Sequence, residues 1–90
     1  MDHEQPDENG RINRGRITLK NGAIYEGQWL GKNRHGEGIL VRPEGTKYRG
    51  EFRNGKAHGH GTFTHANGDV YHGEWVNDLA HGVGTFNARV

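Results

Sequence analysis

The 90-residue sequence contains no cysteine and no serine, and only two prolines. Without cysteine the chain cannot form a disulfide, a thiolate nucleophile or a cysteine-based zinc site, and it suits a reducing compartment. No apolar run approaches the roughly 18 residues that cross a bilayer, and the N-terminus lacks the apolar core of a signal peptide. These absences predict a soluble, cytoplasmic protein.

Glycine is the residue present in excess. The chain has 16 glycines, whereas hydrophobic residues make up 30% of it, which is enough for one small domain. So much glycine usually indicates a linker or a disordered segment, unless the glycines are periodic. Their spacing therefore decides the class of the protein.

The charges are unevenly distributed along the chain. Residues 1–10 carry a net charge of −4, residues 11–60 a net +7 and residues 61–90 a net −2, which together give the net charge of +1. The central basic segment is a candidate for binding acidic lipid headgroups or another phosphate-bearing partner. The candidate contacts are Arg34, Arg42, Lys47, Arg49, Arg53 and Lys56.

Aromatic residues and glycines recur every 23 residues, so the chain is an internal repeat. A tyrosine begins each unit, a glycine and then a tryptophan or phenylalanine follow at steps of two, and a His-Gly pair comes later. The series are Tyr25, Tyr48 and Tyr71; Gly27, Gly50 and Gly73; Trp29, Phe52 and Trp75; and His35, His58 and His81. Periodic glycines exclude a disordered linker for this part of the chain. Residues 1–13 are polar and aperiodic, and we expect them to be a disordered acidic tail.

The spacing of two predicts strands, because side chains alternate between the faces of a sheet. Asn54-Gly55 is typical of a two-residue hairpin turn, as are Gly31-Lys32 and Asn77-Asp78. Three-residue loops ending in glycine would connect successive hairpins. They are Lys20-Asn21-Gly22, Pro43-Glu44-Gly45 and Ala66-Asn67-Gly68. Two strands of about nine residues with these turns account for the 23-residue unit.

This arrangement predicts the pairing of the strands. Within a hairpin it pairs Tyr48 with Gly61, Gly50 with Gly59, and Phe52 with Ala57. Between hairpins it sets Ile17 opposite Tyr25, Leu40 opposite Tyr48, Phe63 opposite Tyr71, Phe52 opposite Gly36, and Trp75 opposite Gly59. Aromatic rings would then lie over glycine backbone in a single layer.

We therefore predict an all-β fold, a single-layer twisted antiparallel sheet of successive β-hairpins. The array would occupy residues 14–90, with a half repeat at 15–24, repeats beginning at Tyr25 and Tyr48, and an incomplete one beginning at Tyr71. The predicted repeat core is Tyr25, Gly27, Trp29, Gly36, Gly38, Leu40, Tyr48, Gly50, Phe52, Gly59, Gly61, Phe63, Tyr71, Gly73, Trp75, Gly82, Gly84 and Phe86.

The run from Tyr48 to Gly61, Tyr-Arg-Gly-Glu-Phe-Arg-Asn-Gly-Lys-Ala-His-Gly-His-Gly, resembles the MORN repeat, Tyr-x-Gly-x-Trp-x-x-Gly-x-x-x-Gly-x-Gly. The resemblance extends over residues 15–86. Lys32 and Asp78 depart from it, since the family has a turn glycine there, and we expect those two turns to be weaker. The family implies a rod of hairpins that serves as a scaffold or localisation segment in junctional, cytoskeletal and ciliary proteins. Similar repeats precede catalytic domains in plant phosphatidylinositol-phosphate kinases and a histone lysine methyltransferase.

Seven histidines raise the question of a metal site. His35, His58 and His81 would lie two strands apart, roughly 10 Å from one another. One ion cannot bridge that distance with ligand bonds near 2 Å. His58 would oppose Glu51, and His81 would oppose Glu74. Cross-strand polar pairs are therefore favoured over a metal site or a pH sensor, and no cofactor is expected.

A catalytic site is not expected either. Serine and cysteine are absent as nucleophiles, and one layer of sheet offers no deep cavity. We expect Glu26, Glu51 and Glu74 to form a regular column on the polar face, with no acid and base at close range. The same face would carry an unusual apolar group, Ile24, Ile39 and Val41.

The function predicted from the sequence is a non-catalytic protein-interaction, scaffolding or localisation module. One alternative is peripheral binding of anionic phospholipids through the basic repeats, and another is an accessory region of a larger enzyme. Nucleic acid is disfavoured, because the aromatic residues are used in the core. The terminal strands, at residues 15–20 and 83–87, would leave backbone groups unpaired, which favours pairing with further repeats or with a second copy.

Overall fold

The computed structural model describes residues 6–89, which form one open antiparallel sheet of seven strands and no helix. Each strand is hydrogen-bonded to the strands that precede and follow it in the sequence, so the sheet is a chain of hairpins. The all-β prediction is confirmed. The strands are β1 (Ile12–Thr18), β2 (Ile24–Leu30), β3 (Asn33–Val41), β4 (Lys47–Arg53), β5 (Lys56–Thr64), β6 (Val70–Val76) and β7 (Leu79–Asn87).

The molecule is elongated, with extents of 42 × 27 × 21 Å. Residues 1–5 and 90, including the first part of the predicted disordered tail, lie outside the described residues. Within residues 6–89 there is no helix long and apolar enough to cross a membrane.

The two-residue turns are confirmed at all three hairpins. Asn54 and Gly55 both have positive φ, 50° and 84°, as a type I′ turn requires. Asn77 and Asp78 adopt the same conformation, with φ of 49° and 72°. Asparagine and aspartate tolerate this region better than other non-glycine residues do, which explains how the last hairpin closes without glycine.

The first hairpin turns in a different way. Gly31 has φ 61°, whereas Lys32 is not among the residues with positive φ. A type II′ turn places its single left-handed residue first, so a lysine in second position is compatible with it. The expected weakness at Lys32 therefore has no basis in the backbone of this turn.

The three-residue loops are confirmed as well. At the first of them, the Leu19 N–H donates to the Ala23 carbonyl at 2.7 Å and the Gly22 N–H donates back to Leu19 at 3.0 Å. The same pair of bonds recurs around residues 43–45 and 66–68. The glycine that ends each loop has φ between 88° and 102°, the left-handed position of the type I turn plus bulge.

The register between hairpins is as predicted, since Gly36 pairs with Phe52 and Gly59 with Trp75. Within hairpins the prediction was wrong beyond the turn. Phe52 pairs with Ala57, but the register then shifts, so that Gly50 pairs with Gly61. Tyr48 accordingly pairs with Phe63 rather than with Gly61. Equivalent shifts interrupt the other two hairpins.

A bulge at the His-Gly pair accounts for these shifts, because the second strand of each hairpin carries two more residues than the first. Gly59 in the middle of the bulge has φ 86° and Gly36 has φ 94°, conformations that favour glycine. The bulge also makes the two strands of a hairpin unequal, with seven and nine residues, whereas two strands of equal length were predicted. Sequence parity could not detect it, because two extra residues leave every side chain on its expected face.

The bulges bring the remaining glycines into one continuous row across the sheet. The row consists of Gly27, Gly38, Gly50, Gly61, Gly73 and Gly84, each paired with the next. One face of the sheet carries the tyrosines, and we call it the aromatic face. The opposite face carries Glu26, Arg49 and their neighbours, and we call it the polar face.

The core lies on the aromatic face, around Tyr25, Leu40, Tyr48 and Phe52, all at most 5% exposed. Ala23 and Ala57 are also buried and Leu19 packs against the core, although none of the three was predicted as core. Alanine is too small to stand out in a periodic pattern. Phe86, predicted as core, is 56% exposed, because no further strand follows β7 among the described residues.

The N-terminal boundary differs from the prediction. β1 begins at Ile12, ahead of the expected start at Gly15. A turn precedes it, in which the Asp7 carboxylate accepts from the N–H groups of Asn9 and Arg11 at 2.8 and 2.9 Å. These backbone hydrogen bonds lower the pKa of Asp7. A single aspartate thus orders a polar segment that has no apolar periodicity.

Candidate functional site

The aromatic face carries a continuous ladder of rings, Tyr25, Trp29, Phe52, Tyr48, Trp75 and Tyr71. Tyr25 stands edge-on to Trp29 of its own repeat, with centroids 5.1 Å apart, and to Phe52 of the next repeat at 5.2 Å. Tyr48 contacts Phe52 and Trp75 in the same way, at 5.0 and 5.5 Å. Edge-to-face contacts of this kind stabilise beyond simple burial. The ladder therefore joins successive repeats.

Each tyrosine lies across the glycine row. A Cβ added at Gly38 would collide with the Tyr25 ring, and one at Gly61 would collide with the Tyr48 ring. The Tyr25 hydroxyl reaches over the row and donates to the Gln28 carbonyl at 2.7 Å. The rings thus cover backbone, as predicted for the tyrosines.

The bulge glycines behave differently. A Cβ at Gly59 would meet the Glu51 carboxylate, and one at Gly36 would meet the side chains of Gln28 and Arg11. The indole N–H of Trp75 donates instead to the Gly61 carbonyl at 3.2 Å. The predicted pairing partners are correct here, and a side chain at either glycine would point away from the paired ring, because positive φ turns that side of the residue toward the polar face.

Burial perturbs the acid–base properties of the ladder. Desolvation raises the pKa of Tyr25 to about 12, although the charge of Arg34 opposes the shift. Desolvation also raises the pKa of Tyr48, assisted by the carboxylates of Glu51 and Glu37. The phenols are therefore held neutral, as structural groups rather than as bases.

Exposure of the aromatic face increases toward β7. Tyr25 is fully buried and Tyr48 is 3% exposed, whereas Phe86 on β7 is 56% exposed. Tyr71 contacts Trp75 edge-on at 5.5 Å, and within residues 6–89 it has no second edge-on ring contact, although Phe86 is its paired residue on β7. The last repeat consequently presents apolar surface together with the open edge of β7.

Arg34 lies on the aromatic face and not in a basic surface patch. Its guanidinium carbon is 6.0 Å from the Tyr25 ring centroid and 5.6 Å from that of Phe52, and it donates to the Gly55 carbonyl at 2.7 Å. Burial lowers the pKa of this group, while the charge of Asp78 opposes the shift. Of the six basic residues proposed from the sequence, this one is already engaged.

The other five are divided between the faces. Arg42 lines a small cavity on the aromatic face, beside Leu40 and Tyr48. Lys47 and Arg49 pair with Val41 and Ile39 on the polar face. Arg53 and Lys56 lie opposite each other beside a hairpin turn. The structure therefore does not bring the six residues together into one patch.

The polar face contains a shallow trough above the glycine row. A cavity of about 420 Å³ is lined there by Glu37, Arg49, His60, Thr62 and His72 together with glycines 50, 61 and 73. Ile24, Ile39 and Val41 do share this face, as predicted, since Ile24 pairs with Val41 and Ile39 pairs with Glu26. The trough is open and of mixed charge.

The glutamate column was predicted incorrectly. Glu26 pairs with Arg16 and Ile39, whereas Gln28 occupies the place in its repeat that Glu51 and Glu74 occupy in theirs. Glu51 lies directly opposite Glu37 on the neighbouring strand, and this pair was not predicted. The predicted register between hairpins, which sets Gly36 opposite Phe52, also sets these two glutamates opposite each other.

The histidines are engaged separately. The His60 Nε2 lies 3.8 Å from a Glu74 carboxylate oxygen, and the His72 Nδ1 lies 2.9 Å from the Thr62 hydroxyl. His81 pairs with Glu74 as predicted, but the bulge leaves Glu51 without a paired residue on β5, so the predicted His58 partner is lost. Within residues 6–89 no group of three potential metal ligands converges.

Comparison with known families agrees with this architecture. The family model of the MORN repeat matches three consecutive segments, residues 25–47, 48–70 and 71–87, more than half of the chain. No individual curated protein matches the sequence. A repeat of this family supports a module for interaction or localisation. The three matched segments begin at Tyr25, Tyr48 and Tyr71, each the start of one hairpin of the sheet, and the chain belongs to the MORN repeat family.

Proposed function

We propose that this chain is a protein-interaction module that associates through the outer edge of β7, and that its partner there is a second copy of the chain. The observation that carries the proposal is the incomplete ladder beyond Tyr71, beside a strand whose outer edge is unpaired within residues 6–89. Edge strands with exposed apolar side chains pair readily with another strand.

The pattern of residues on β7 suits pairing with itself. In the interior of the sheet a Gly-Gly pair is accompanied by an aromatic residue opposite a bulge glycine, as in Gly61 with Gly73 and Gly59 with Trp75. If Gly84 of one copy faced Gly84 of the other, Phe86 of each copy would lie opposite Gly82 of its partner. Phe86 would then stand where a further repeat has its tryptophan.

Such a pair has two-fold symmetry and therefore closes as a dimer. An axis perpendicular to the sheet keeps both aromatic faces on the same side, so the two ladders become continuous. Burial of Phe86, now 56% exposed, would supply an apolar driving force. The mildly acidic charge of residues 61–90 opposes the contact weakly and is screened by salt.

Light scattering and sedimentation over a concentration series test the proposal. We expect a monomer–dimer equilibrium that salt shifts toward the dimer. Phe86→Lys should abolish the dimer, whereas Val41→Lys, at a residue 38% exposed on the polar face, should not. A strict monomer at high concentration, or a dimer that survives Phe86→Lys, would refute pairing through β7.

A second candidate function is binding to anionic phospholipid. Lys47 and Arg49 lie side by side on the polar face, with Arg53 and Lys56 farther along the same hairpin, which favours this face for such binding. Vesicles containing phosphatidylserine should then sediment the protein at low salt and release it at high salt. Arg49→Glu with Arg53→Glu should weaken sedimentation, and Arg42→Glu serves as the control on the other face. Sedimentation that is insensitive to salt would exclude this function.

A further inference from the structure

Two equivalent slots lie on the aromatic face, one repeat apart. Each is bounded by the tyrosine of one repeat and the aromatic ring of the next. The first lies beside the contact of Tyr25 with Phe52, and the second beside the contact of Tyr48 with Trp75. Because the period is 23 residues, Ala57 stands in the second slot where Arg34 stands in the first.

The first slot is occupied by the side chain of Arg34. The guanidinium of Arg34 lies against both rings and donates to the carbonyl of Gly55, in the turn of the following hairpin. This arrangement combines a cation–π contact with a charge-assisted hydrogen bond. A guanidinium therefore fits against two contacting rings of this ladder.

The second slot keeps the rings and lacks the guanidinium. A cavity of about 140 Å³ remains, lined by Leu40, Tyr48, Phe52, Ala57, Phe63 and Trp75, with Arg42 and Asp78 also contributing. The rings of Tyr48 and Trp75 stand at 84° to each other with centroids 5.5 Å apart. The cavity lies where the second repeat has Ala57 at the position of Arg34 in the first.

The second slot has a carboxylate, that of Asp78, where the first slot has Gly55. The N–H of Asp78 donates to the Ala57 carbonyl at 3.0 Å. Its Oδ1 accepts from the Ala57 N–H at 2.8 Å. Within residues 6–89, Oδ2 makes no hydrogen bond and Asp78 makes no ion pair. One carboxylate oxygen thus remains free beside an aromatic cavity.

We propose that the second slot binds the guanidinium of an arginine side chain presented by a partner protein. The ring faces of Tyr48 and Trp75 would take the place of Tyr25 and Phe52, and the free oxygen of Asp78 would replace the carbonyl of Gly55. The inference rests on the proposed protein-binding function and names a side chain that the partner contributes. The slot is built from β3 to β6 and their turns, so it does not require the β7 edge.

Arg42 lines the same cavity, in the place that Leu19 has at the first slot, and its charge opposes a second cation. Its side chain is only half-buried, so water and salt still screen part of that repulsion. Asp78 supplies negative charge at the cavity, and it shares this charge with the nearby Arg34. An apolar side chain could also enter the cavity, but it would leave the free carboxylate oxygen unused.

A graft tests the chemistry of the slot within the full chain. Ala57→Arg should reproduce the environment of Arg34 and raise the folding equilibrium constant by about threefold. Ala57→Gln, which is long and polar but neutral, should not raise it. The gain should disappear when Asp78→Asn is added, because the amide keeps the hydrogen bond to Ala57 but loses the charge.

A small probe tests binding from solution. We expect acetyl-arginine amide to produce saturable NMR shifts at the Trp75 indole N–H and the Ala57 amide, with the Trp29 indole as an internal reference. Acetyl-citrulline amide, matched in length but uncharged, should bind at least about fivefold more weakly. Both Ala57→Arg and Asp78→Asn should remove the response to the arginine probe.

Several outcomes would contradict the proposal, and each has a different meaning. Equal shifts with citrulline amide, or stronger shifts with acetyl-leucine amide, would refute a cation site, the second in favour of an apolar anchor. Absence of saturable shifts at about 100 mM probe would refute the proposal outright. Loss of the β7 dimer in Phe86→Lys should leave the probe response unchanged, so failure of the proposed dimer and failure of the arginine slot are separately visible.

Discussion

The ring of Phe52 stands edge-on to the ring of Tyr25, with centroids 5.2 Å apart and planes at 88°, although the two residues belong to different repeats with a strand between them. Phe52 contacts Tyr48 of its own repeat in the same geometry, at 5.0 Å and 83°. One aromatic residue thus connects two tyrosines. In repeat proteins such contacts between neighbouring repeats contribute much of the stability. Substitutions in the ladder therefore test what stabilises this sheet.

Trp75→Ala should destabilise the protein far more than Glu74→Ala. Trp75 stands edge-on to Tyr48 and Tyr71, at 5.5 Å from each, and its indole donates to Gly61. Loss of a core aromatic costs about 3–5 kcal/mol, and an open sheet should show the lower part of this range. Glu74 points to the polar face and lies 53% exposed beside His60. Urea unfolding compares the two, and equal midpoint shifts would contradict the assignment of faces.

Gly38→Ala should cost more stability than Gly84→Ala. A Cβ at Gly38 collides with the Tyr25 ring, which is fully buried and held between Trp29 and Phe52. A Cβ at Gly84 collides with Tyr71, whose one edge-on ring contact within the described residues is with Trp75, so that this ring can shift. We expect about 2–3 kcal/mol for the first and about 1 kcal/mol for the second, as in overpacked cores. Similar losses would mean that the ladder is equally rigid at both ends.

Stability should fall as the pH rises above the ordinary tyrosine pKa. Burial raises the pKa of Tyr25 to about 12 in the folded state, whereas the unfolded chain ionises near 10. Between these values the unfolded state binds fewer protons than the folded state, so each unit of pH lowers the free energy of unfolding. Below pH 10 this contribution is fully present. Urea midpoints measured from pH 8 to pH 12 should therefore decline only in the upper half of the range.

Tyr25→Phe is the matched control for this decline. The variant cannot ionise at residue 25, so its stability should depend less steeply on pH above 10. It also loses the hydrogen bond from the hydroxyl to the Gln28 carbonyl, which should cost about 0.5–1.5 kcal/mol at neutral pH. An unchanged slope would show that Tyr25 does not contribute to the alkaline transition.

Gly31→Ala should destabilise the first hairpin, and Lys32→Gly should not stabilise it. Gly31 has φ 61° at the first turn position, which an alanine reaches only at a cost of about 1–2 kcal/mol. The φ of Lys32 is not positive, so the turn does not need a glycine there. A glycine would only raise the entropy of the unfolded chain, which does not stabilise the folded state. Thermal midpoints of the two variants measure this. A rise in midpoint for Lys32→Gly would indicate a type I′ turn instead.

The sequence was sufficient to predict the repeat, the two kinds of turn and the pairing between hairpins. These features are local, because a glycine-containing turn defines its own conformation and strand periodicity defines which side chains share a face. The pairing of Leu40 with Tyr48, and of Gly36 with Phe52, followed from loop length alone. Such features need no knowledge of the neighbouring repeats.

Only the tertiary structure decided where the register shifts and which charged groups meet. The bulges at the His-Gly pairs conserve the parity of the strand, so the sequence pattern is the same with or without them. They set Gly50 opposite Gly61, and the register between hairpins sets Glu51 opposite Glu37. The charge of Arg34 is visible in the sequence and predicts a basic surface residue, but its position against two rings of adjacent repeats is not visible there. That position depends on packing between strands of two repeats, some twenty residues apart in the sequence. These strands come together only when the sheet has formed, so the periodic pattern alone does not reveal the contact.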